Sequence, residues 1–479
     1  MKKPLLILAV LLAVFFTVWN QATRRRWGLF EPYMCSETAK PFFRTIPSPE
    51  GAVARPNRQN ALEFSFLMPK PAGVKRVLVI GESAAALLAR PGKDTFADIF
   101  AARTGGRVEV INCGMGGYDS SRILPVFREA LEYSPDLILL LSANNEVGPR
   151  IEACPNPAGF FRAGWRWLRA AFFSLGRGWR AGSAAEIEST YAARLDAMTA
   201  LAAGRGVPLL IFALPYNPAY PPAGPMPLED ASFAAAFELL EGGDHAGAAA
   251  RLEEFLAAQP GDAFGLYYLG LTAQRAGDAA RAKEFYERAV EADPLRDRTG
   301  AARNAAVREA ARRGGACLAD LEGELAGVRS PLADGVHWHQ RYDKAAALVA
   351  LRGLAACPAA AGFLPARAAG ALRRREQATP ARLRQEAGDM LNYAAAYLLF
   401  QPPITDFLNS RTLAQLEGAC ARDAGFIKEA LTSEAALTAA LKNNIWVGDL
   451  RSGAGALLPK LRSHAGRACG RRPLYGSGL

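Results

Sequence analysis

Histidine is scarce in this chain, with four in 479 residues, at positions 245, 337, 339 and 464. Chemistry that needs an imidazole has few places to sit, and only His337 and His339 lie close together. Cysteine is sparse as well. The seven residues, at 35, 113, 154, 317, 357, 420 and 469, include no CxxC pair, which excludes the common zinc-ribbon and dithiol motifs. No lysine-rich tail is present, and the formal charge of +11 is spread along the chain as arginine. That balance favours anionic surfaces such as phospholipid or acidic polysaccharide. Without a nucleic-acid-binding motif beside it, no nucleic-acid partner is expected.

One run of membrane-spanning length stands at the start. Pro4–Thr23 is uncharged over 20 residues, long enough as a helix to cross a hydrocarbon core of about 30 Å. A cleavable signal peptide would end in a small-x-small site. This run ends in VWNQAT followed by Arg24, Arg25 and Arg26, which favours an uncleaved anchor over residues 1–27. Lys2 and Lys3 on one side and the three arginines on the other leave its orientation open.

The length suggests two to four domains. Residues 28–69 are rich in proline and read as a linker with an edge segment. Lys75–Ile80, Val108–Asn112, Leu137–Leu141, Pro208–Ala213 and Cys317–Leu321 are apolar runs of strand length, separated by Ala-, Leu- and Arg-rich helical stretches. This alternation predicts an α/β fold with a five-stranded parallel sheet covered on both faces. It spans 70–228 and 297–357. The insertion between, 229–296, holds two copies of one pattern. Gly243 and Gly277 are 34 positions apart, as are Pro260 and Pro294, the period of tetratricopeptide repeats. Leu269, Gly270, Ala282, Tyr286 and Ala289 occupy the expected places. Two repeats bury little alone, so neighbouring helices from the sheet domain must cap them, and their ends must lie close enough for the insertion to be looped out. Residues 358–479 are helical in composition, carry no catalytic motif and read as an accessory cap.

Four short segments carry the chemistry. They are VLVIGESAAA with Ser83, VINCGMGGYDS with Gly117, LLLSANNEV with Asn145, and LADGVHWHQ with Asp334 and His337. The first three follow apolar runs, which places them at the carboxyl ends of parallel strands, where open α/β sheets bind ligands. Serine attacks well only when a base takes its proton and donors receive the developing oxyanion. Ser83 opens a helix after a glycine turn, so its amide is a natural donor, although a helix-capping serine looks the same. Gly117 allows close backbone approach, in a loop that uses several glycines. Asn145 offers a side-chain amide, with Asn144 as a competitor and helix capping as the alternative for either. Asp334, three residues before His337, can hold the imidazole in the tautomer that accepts the serine proton. His337 and His339 at i, i+2 diverge, which argues against a metal; no metal and no cofactor are expected. His245 and His464 read as surface residues, and Cys113 and Cys317 as buried small hydrophobes. Cys420 and Cys469 can pair in an oxidising compartment.

These four blocks, in this order, resemble those of the SGNH (GDSL-type) hydrolases, which implies a three-layer flavodoxin-like fold over roughly 70–225 and 297–357. The resemblance implies a serine esterase or O-acyltransferase acting on an acyl ester, such as acetyl on a glycan or lipid. By it Ser83 is the nucleophile, Asp334 and His337 are the acid and base, and Ser83, Gly117 and Asn145 form the oxyanion hole. Glu82 replaces the family's aspartate, and Ala143 replaces a glycine, adding a methyl near that hole. GESAA, the NNE block and the repeats resemble a membrane-anchored bacterial subgroup with tetratricopeptide repeats. A single-pass inner-membrane protein with a periplasmic catalytic domain is the expectation, against which Arg24–Arg26 count. The alternative is a non-catalytic scaffold whose repeats recruit a cell-envelope protein partner. Between the third and fourth strands, Phe160, Phe161, Trp165, Trp167, Phe172, Phe173 and Trp179 interleave with arginines. That stretch can lie on a membrane surface, form a lid, or pack on the sheet.

Overall fold

The computed structural model describes residues 40–58, 61–89, 95–105, 107–146, 184–222, 226–293, 297–326, 328, 331–365, 379–399, 409–441, 443–444 and 448–469. The anchor expected at 1–27, the aromatic–arginine stretch, Cys35 and Cys154 lie outside them. No helix among the described residues is long and apolar enough to cross a membrane.

The described chain starts in structure where composition reads as linker. Strands β1 (Phe43–Ser48), β2 (Gly51–Pro56) and β3 (Phe66–Met68) form an antiparallel sheet in that order. Prolines disguised it. Pro47 sits on β1, an edge strand, where a missing N–H interrupts no ladder beyond the hairpin. Phe42, Phe43 and Phe66 are buried in the main core, and the amides of Phe42 and Phe43 donate to the Glu129 carboxylate at 2.6 and 2.9 Å. Residues 40–68 are therefore part of the α/β unit, which corrects the linker boundary.

The central unit then alternates as its pattern predicts. It runs β4 (Val74–Gly81), α1 (Ser83–Leu87), α2 (Phe96–Thr104), β5 (Arg107–Gly114), α3 (Ser120–Ala130), β6 (Leu137–Leu141), α4 (Ala184–Gly204) and β7 (Leu209–Ala213). After the insertion come α9 (Ala301–Gly314), β8 (Cys317–Asp320), α10 (Leu321–Leu325) and α11 (Asp343–Ala355). The five strands pair in parallel in the order β5-β4-β6-β7-β8, the 2-1-3-4-5 arrangement of doubly wound sheets. Helices α2 and α11 pack together, as do α3, α4 and α9, giving a helical group for each direction of crossover. Val77–Ile80, Leu137–Leu141 and Leu210–Ala213 are essentially inaccessible, as expected for strands covered on both faces.

The insertion folds as α5 (Ala231–Gly242), α6 (His245–Ala258), α7 (Ala263–Arg275) and α8 (Ala279–Ala292), each packed on the next. Aspartates 230, 244, 262 and 278 cap the four helices, satisfying orphan amides at each start. The C-terminal region adds α12 (Pro380–Leu399), α13 (Ser410–Ala430), α14 (Glu434–Ala440) and α15 (Ala454–Ala468). The insertion and this region are not separate bodies. Tyr220, Phe233, Phe255 and Tyr268 belong to one apolar cluster with Leu391, Leu413, Leu416 and Leu461. A buried ion cluster fastens that lobe to the chain re-entering the sheet. Arg298 pairs with Asp293 at 3.0 Å, and Arg411 pairs with Asp293 at 3.4 Å and Asp297 at 2.5 Å.

Two further expectations change. Cys317 bonds Cys357, with Cα atoms 5.2 Å apart, rather than serving as a free small hydrophobe. The cross-link ties β8 to the end of α11. Cys420 and Cys469 also pair, while Cys113 stays a buried thiol. His464 is buried, not solvated. Its Nε2 accepts from the Asn409 amide at 3.1 Å, and its Nδ1 lies 2.8 Å from the Lys460 carbonyl. No group of His, Cys, Asp and Glu able to hold a metal occurs among the described residues.

Candidate active site

Strand β4 ends at Gly81, and the chain turns at once into α1. The turn is tight because two backbones crowd it. A methyl added at Gly81 would lie 2.1 Å from the Leu141 carbonyl oxygen, and one at Gly114 would lie 2.3 Å from the Ala86 amide. Backbone atoms cannot swing aside, so both positions require glycine. In register, Gly81 faces Gly114 on β5 and Leu141 on β6. The segments after these three residues emerge side by side at the carboxyl edge of the sheet.

Glu82 locks them together. It has no exposure, and it makes no cap for α1 because its carboxylate is used elsewhere. Oε1 accepts from the amides of Ala143 and Asn144 at 3.0 and 2.8 Å, and Oε2 accepts from Asn145 Nδ2 at 3.0 Å. Burial, opposed by these donors and reinforced by the nearby Glu146, pushes the Glu82 carboxyl up to about 8. Burial likewise raises Glu146, with Asp119 adding to it. Glu146 accepts from both the amide and the hydroxyl of Ser120, at 2.8 and 2.7 Å, tying the β6 loop to the loop that holds Gly117.

His337 arrives from a tight loop before α11. Leu332 and Trp338 bridge across it, and the Ala333 amide donates to the His337 carbonyl at 2.6 Å. Trp338 is fully buried and donates to Asp343 at 2.8 Å. His337 Nε2 stands 2.8 Å from Ser83 Oγ, and its Nδ1 stands 2.7 Å from Asp334 Oδ2. The other carboxylate oxygen accepts the amides of Val336 and His337 at 2.8 and 2.7 Å. Burial works to raise the Asp334 carboxyl, but the imidazole and these amides outweigh it and leave it below its ordinary value. An ionised Asp334 then holds the proton on Nδ1, so Nε2 is the acceptor that faces the serine. Ser83, Asp334 and His337 are 2, 3 and 4% exposed.

The donor side is partly assembled by the same contacts. Gly117 has φ +70°, its carbonyl accepts from Arg122 at 2.7 Å, and its own amide donates to no described residue. Asn145 adopts φ 57°, and its Nδ2 lies 3.5 Å from the Tyr118 carbonyl besides its bond to Glu82. Asn144 is occupied differently. It is fully buried, and its Oδ1 accepts from the Thr299 amide at 2.7 Å. Ala143 is fully buried in the main core, and its carbonyl accepts from Arg303 at 3.0 Å.

His339 turns away from His337, as the i, i+2 spacing demands on an extended segment. Its Nε2 lies 3.2 Å from an Arg422 nitrogen and 3.8 Å from Glu386. The residue that sequence reasoning missed is Tyr393 of α12, whose ring stacks on His337 with centroids 5.5 Å apart and planes 8° from parallel. No local signal marks it, because it reaches His337 from a helix with no motif.

No family model matches the chain, and no curated protein matches it. Among solved structures it is similar to an acetyl xylan esterase, AlAXEase, at 11% identity and TM-score 0.27, covering 57% of this chain and 96% of that one. It is also similar to two variants of Axe2, an acetylxylan esterase from Geobacillus stearothermophilus, at 12% identity and TM-score 0.28, covering 61% and 97%. At TM-scores this low the likeness fixes neither the fold nor the chemistry of the chain, which rest on its own α/β architecture.

Proposed function

We propose that the chain is a serine esterase or O-acyltransferase of the SGNH kind. The observation that carries the reading is the hydrogen-bonded row Ser83 Oγ, His337 Nε2, His337 Nδ1 and Asp334 Oδ2, with successive contacts of 2.8 and 2.7 Å. Ser83 Oγ attacks the ester carbonyl carbon while its proton passes to His337 Nε2. The oxyanion is received by the amides of Ser83 and Gly117 and by Asn145 Nδ2. The tetrahedral intermediate collapses, the alcohol leaves with the proton from His337, and the acyl group remains on Ser83. Water, or an acceptor hydroxyl, then loses its proton to His337 and attacks the acyl-enzyme. The first route releases an acid and the second a new ester, and the same residues serve both. A purely scaffolding role would leave this buried row without a use.

The acyl group is short, acetyl above all, carried by a glycan or lipid of the cell envelope. The catalytic unit stands outside the cytoplasm, held by the 1–27 anchor. Two disulfides among the described residues support that side of the membrane, since such pairs persist in oxidising compartments. The four inserted helices are two tetratricopeptide repeats offering a surface to an envelope protein partner. Their 34-residue period and aspartate-capped starts support this reading.

Protein lacking residues 1–27, mixed with an activated acetyl aryl ester, should release about one equivalent of phenol in a burst before the steady rate. Adding a primary alcohol should raise the steady rate if deacylation limits turnover. Absence of any phenol release from acetyl, propionyl and butyryl esters would reject the reading.

A further inference from the structure

We propose that Tyr393 is a positioning residue for the base, so that the C-terminal helices complete the active site rather than merely cap the fold. The proposal rests on the esterase reading for its kinetic test but not for its structural one. Helix α12 presents one face to the base-bearing segment. Glu386, Tyr393 and Tyr397, at i, i+7 and i+11, fall within about 20° of one line on a helix of 100° per residue. Together they span about 16 Å at 1.5 Å per residue. Each grips a neighbour of the catalytic loop. Glu386 pairs with Arg341 and, at 3.0 Å, with Arg422, and lies 3.8 Å from His339. Tyr397 packs against Tyr220 with ring centroids 6.5 Å apart. Between them Tyr393 lies flat on the His337 imidazole.

A ring at 5.5 Å and 8° is in the offset-stacked geometry that aromatic pairs prefer. It restrains the imidazole plane, which Asp334 alone fixes only along one bond. Rotation about the Cβ–Cγ bond would carry Nε2 off the line to Ser83 Oγ, and a ring against the imidazole face opposes it. The stacked face also bears the negative side of the phenol quadrupole. It attracts the imidazolium that forms as Ser83 gives up its proton, and so acts more strongly in the transition state than before it. The hydroxyl plays no part in either effect, so phenylalanine should serve as well as tyrosine.

Tyr393→Leu and Tyr393→Phe separate these roles from simple packing. In the acetyl aryl ester assay, Tyr393→Leu should lower kcat about tenfold with KM changed less than about threefold, whereas Tyr393→Phe should stay within about twofold of the unaltered protein. Independently of turnover, the carbon-bound imidazole protons of His337, assigned with His337→Ala, carry the ring-current shift of a stacked aromatic. They should move downfield in Tyr393→Leu and hold in Tyr393→Phe. A leucine variant with unaltered kcat, a phenylalanine variant as slow as leucine, or unmoved imidazole resonances would overturn the proposal. If the unaltered protein hydrolyses no ester, the esterase reading falls alone, and the resonances still decide whether Tyr393 stacks on the base.

Discussion

Ser83→Ala is expected to reduce ester hydrolysis by at least about 10⁴-fold, and His337→Ala to do the same, because members of such a unit fail together. The double variant should be scarcely worse than either single one. The geometry gives the reason. Ser83 Oγ lies within hydrogen-bond reach of His337 Nε2, and that nitrogen is left to accept because Asp334 keeps the imidazole proton on Nδ1 by accepting its hydrogen bond. His339→Ala should behave otherwise. Its ring faces Arg422 and Glu386, so its loss should disturb the C-terminal contacts and leave kcat within about tenfold. Steady-state kinetics on one activated ester separates His339→Ala from the other two. A His339 variant as impaired as the His337 variant would mean that the wrong imidazole has been assigned as base.

Replacing 229–296 with a short Gly/Ser linker is expected to unfold or severely destabilise the protein, contrary to what two autonomous repeats would allow. The excision removes Asp293, the carboxylate that pairs with Arg298 and approaches Arg411. Arg298 is 4% exposed, and stranding a buried charge costs about 3–5 kcal/mol, whereas Arg411 keeps its pair with Asp297. It also removes Phe233, Phe255 and Tyr268 from a core shared with the C-terminal helices, and Glu241, the partner of Arg467 at 3.6 Å. Urea denaturation followed by circular dichroism should show a midpoint well below that of the intact protein, or no soluble product at all. An unchanged midpoint with full esterase activity would show that the inserted helices are an independent module.

Local features carried the central sheet. Each strand is a run of four to eight residues bounded by a turn, and the segments with Ser83, Gly117 and Asn145 sit where such a run stops. Strand ends and those candidate residues were therefore legible together, whereas the segment with Asp334 and His337 lies beyond α10. Glu82 could be read as a conservative replacement, but not as the group that sorts Asn145 from Asn144. That distinction depends on which side chain meets a carboxylate 63 positions earlier and which accepts from the Thr299 amide. Residues 40–68 were hidden by prolines that an edge strand tolerates. His464 and Cys317 were misread for a shared reason. Their partners, Asn409 and Cys357, lie 55 and 40 positions away, and burial decided by distant helices leaves no local periodicity. Tyr393 is the extreme case, since a tyrosine in an alanine-rich helix looks like ordinary packing until the fold sets it on His337.

The central claim is that Ser83 is a nucleophile activated by His337. Incubation with a fluorophosphonate, followed by intact mass and peptide mapping, tests it without knowledge of the natural ester. One phosphonyl group should attach to Ser83 and none elsewhere, and His337→Ala should slow that labelling greatly. Labelling that falls on another serine such as Ser120, or that proceeds equally fast without His337, would contradict the account.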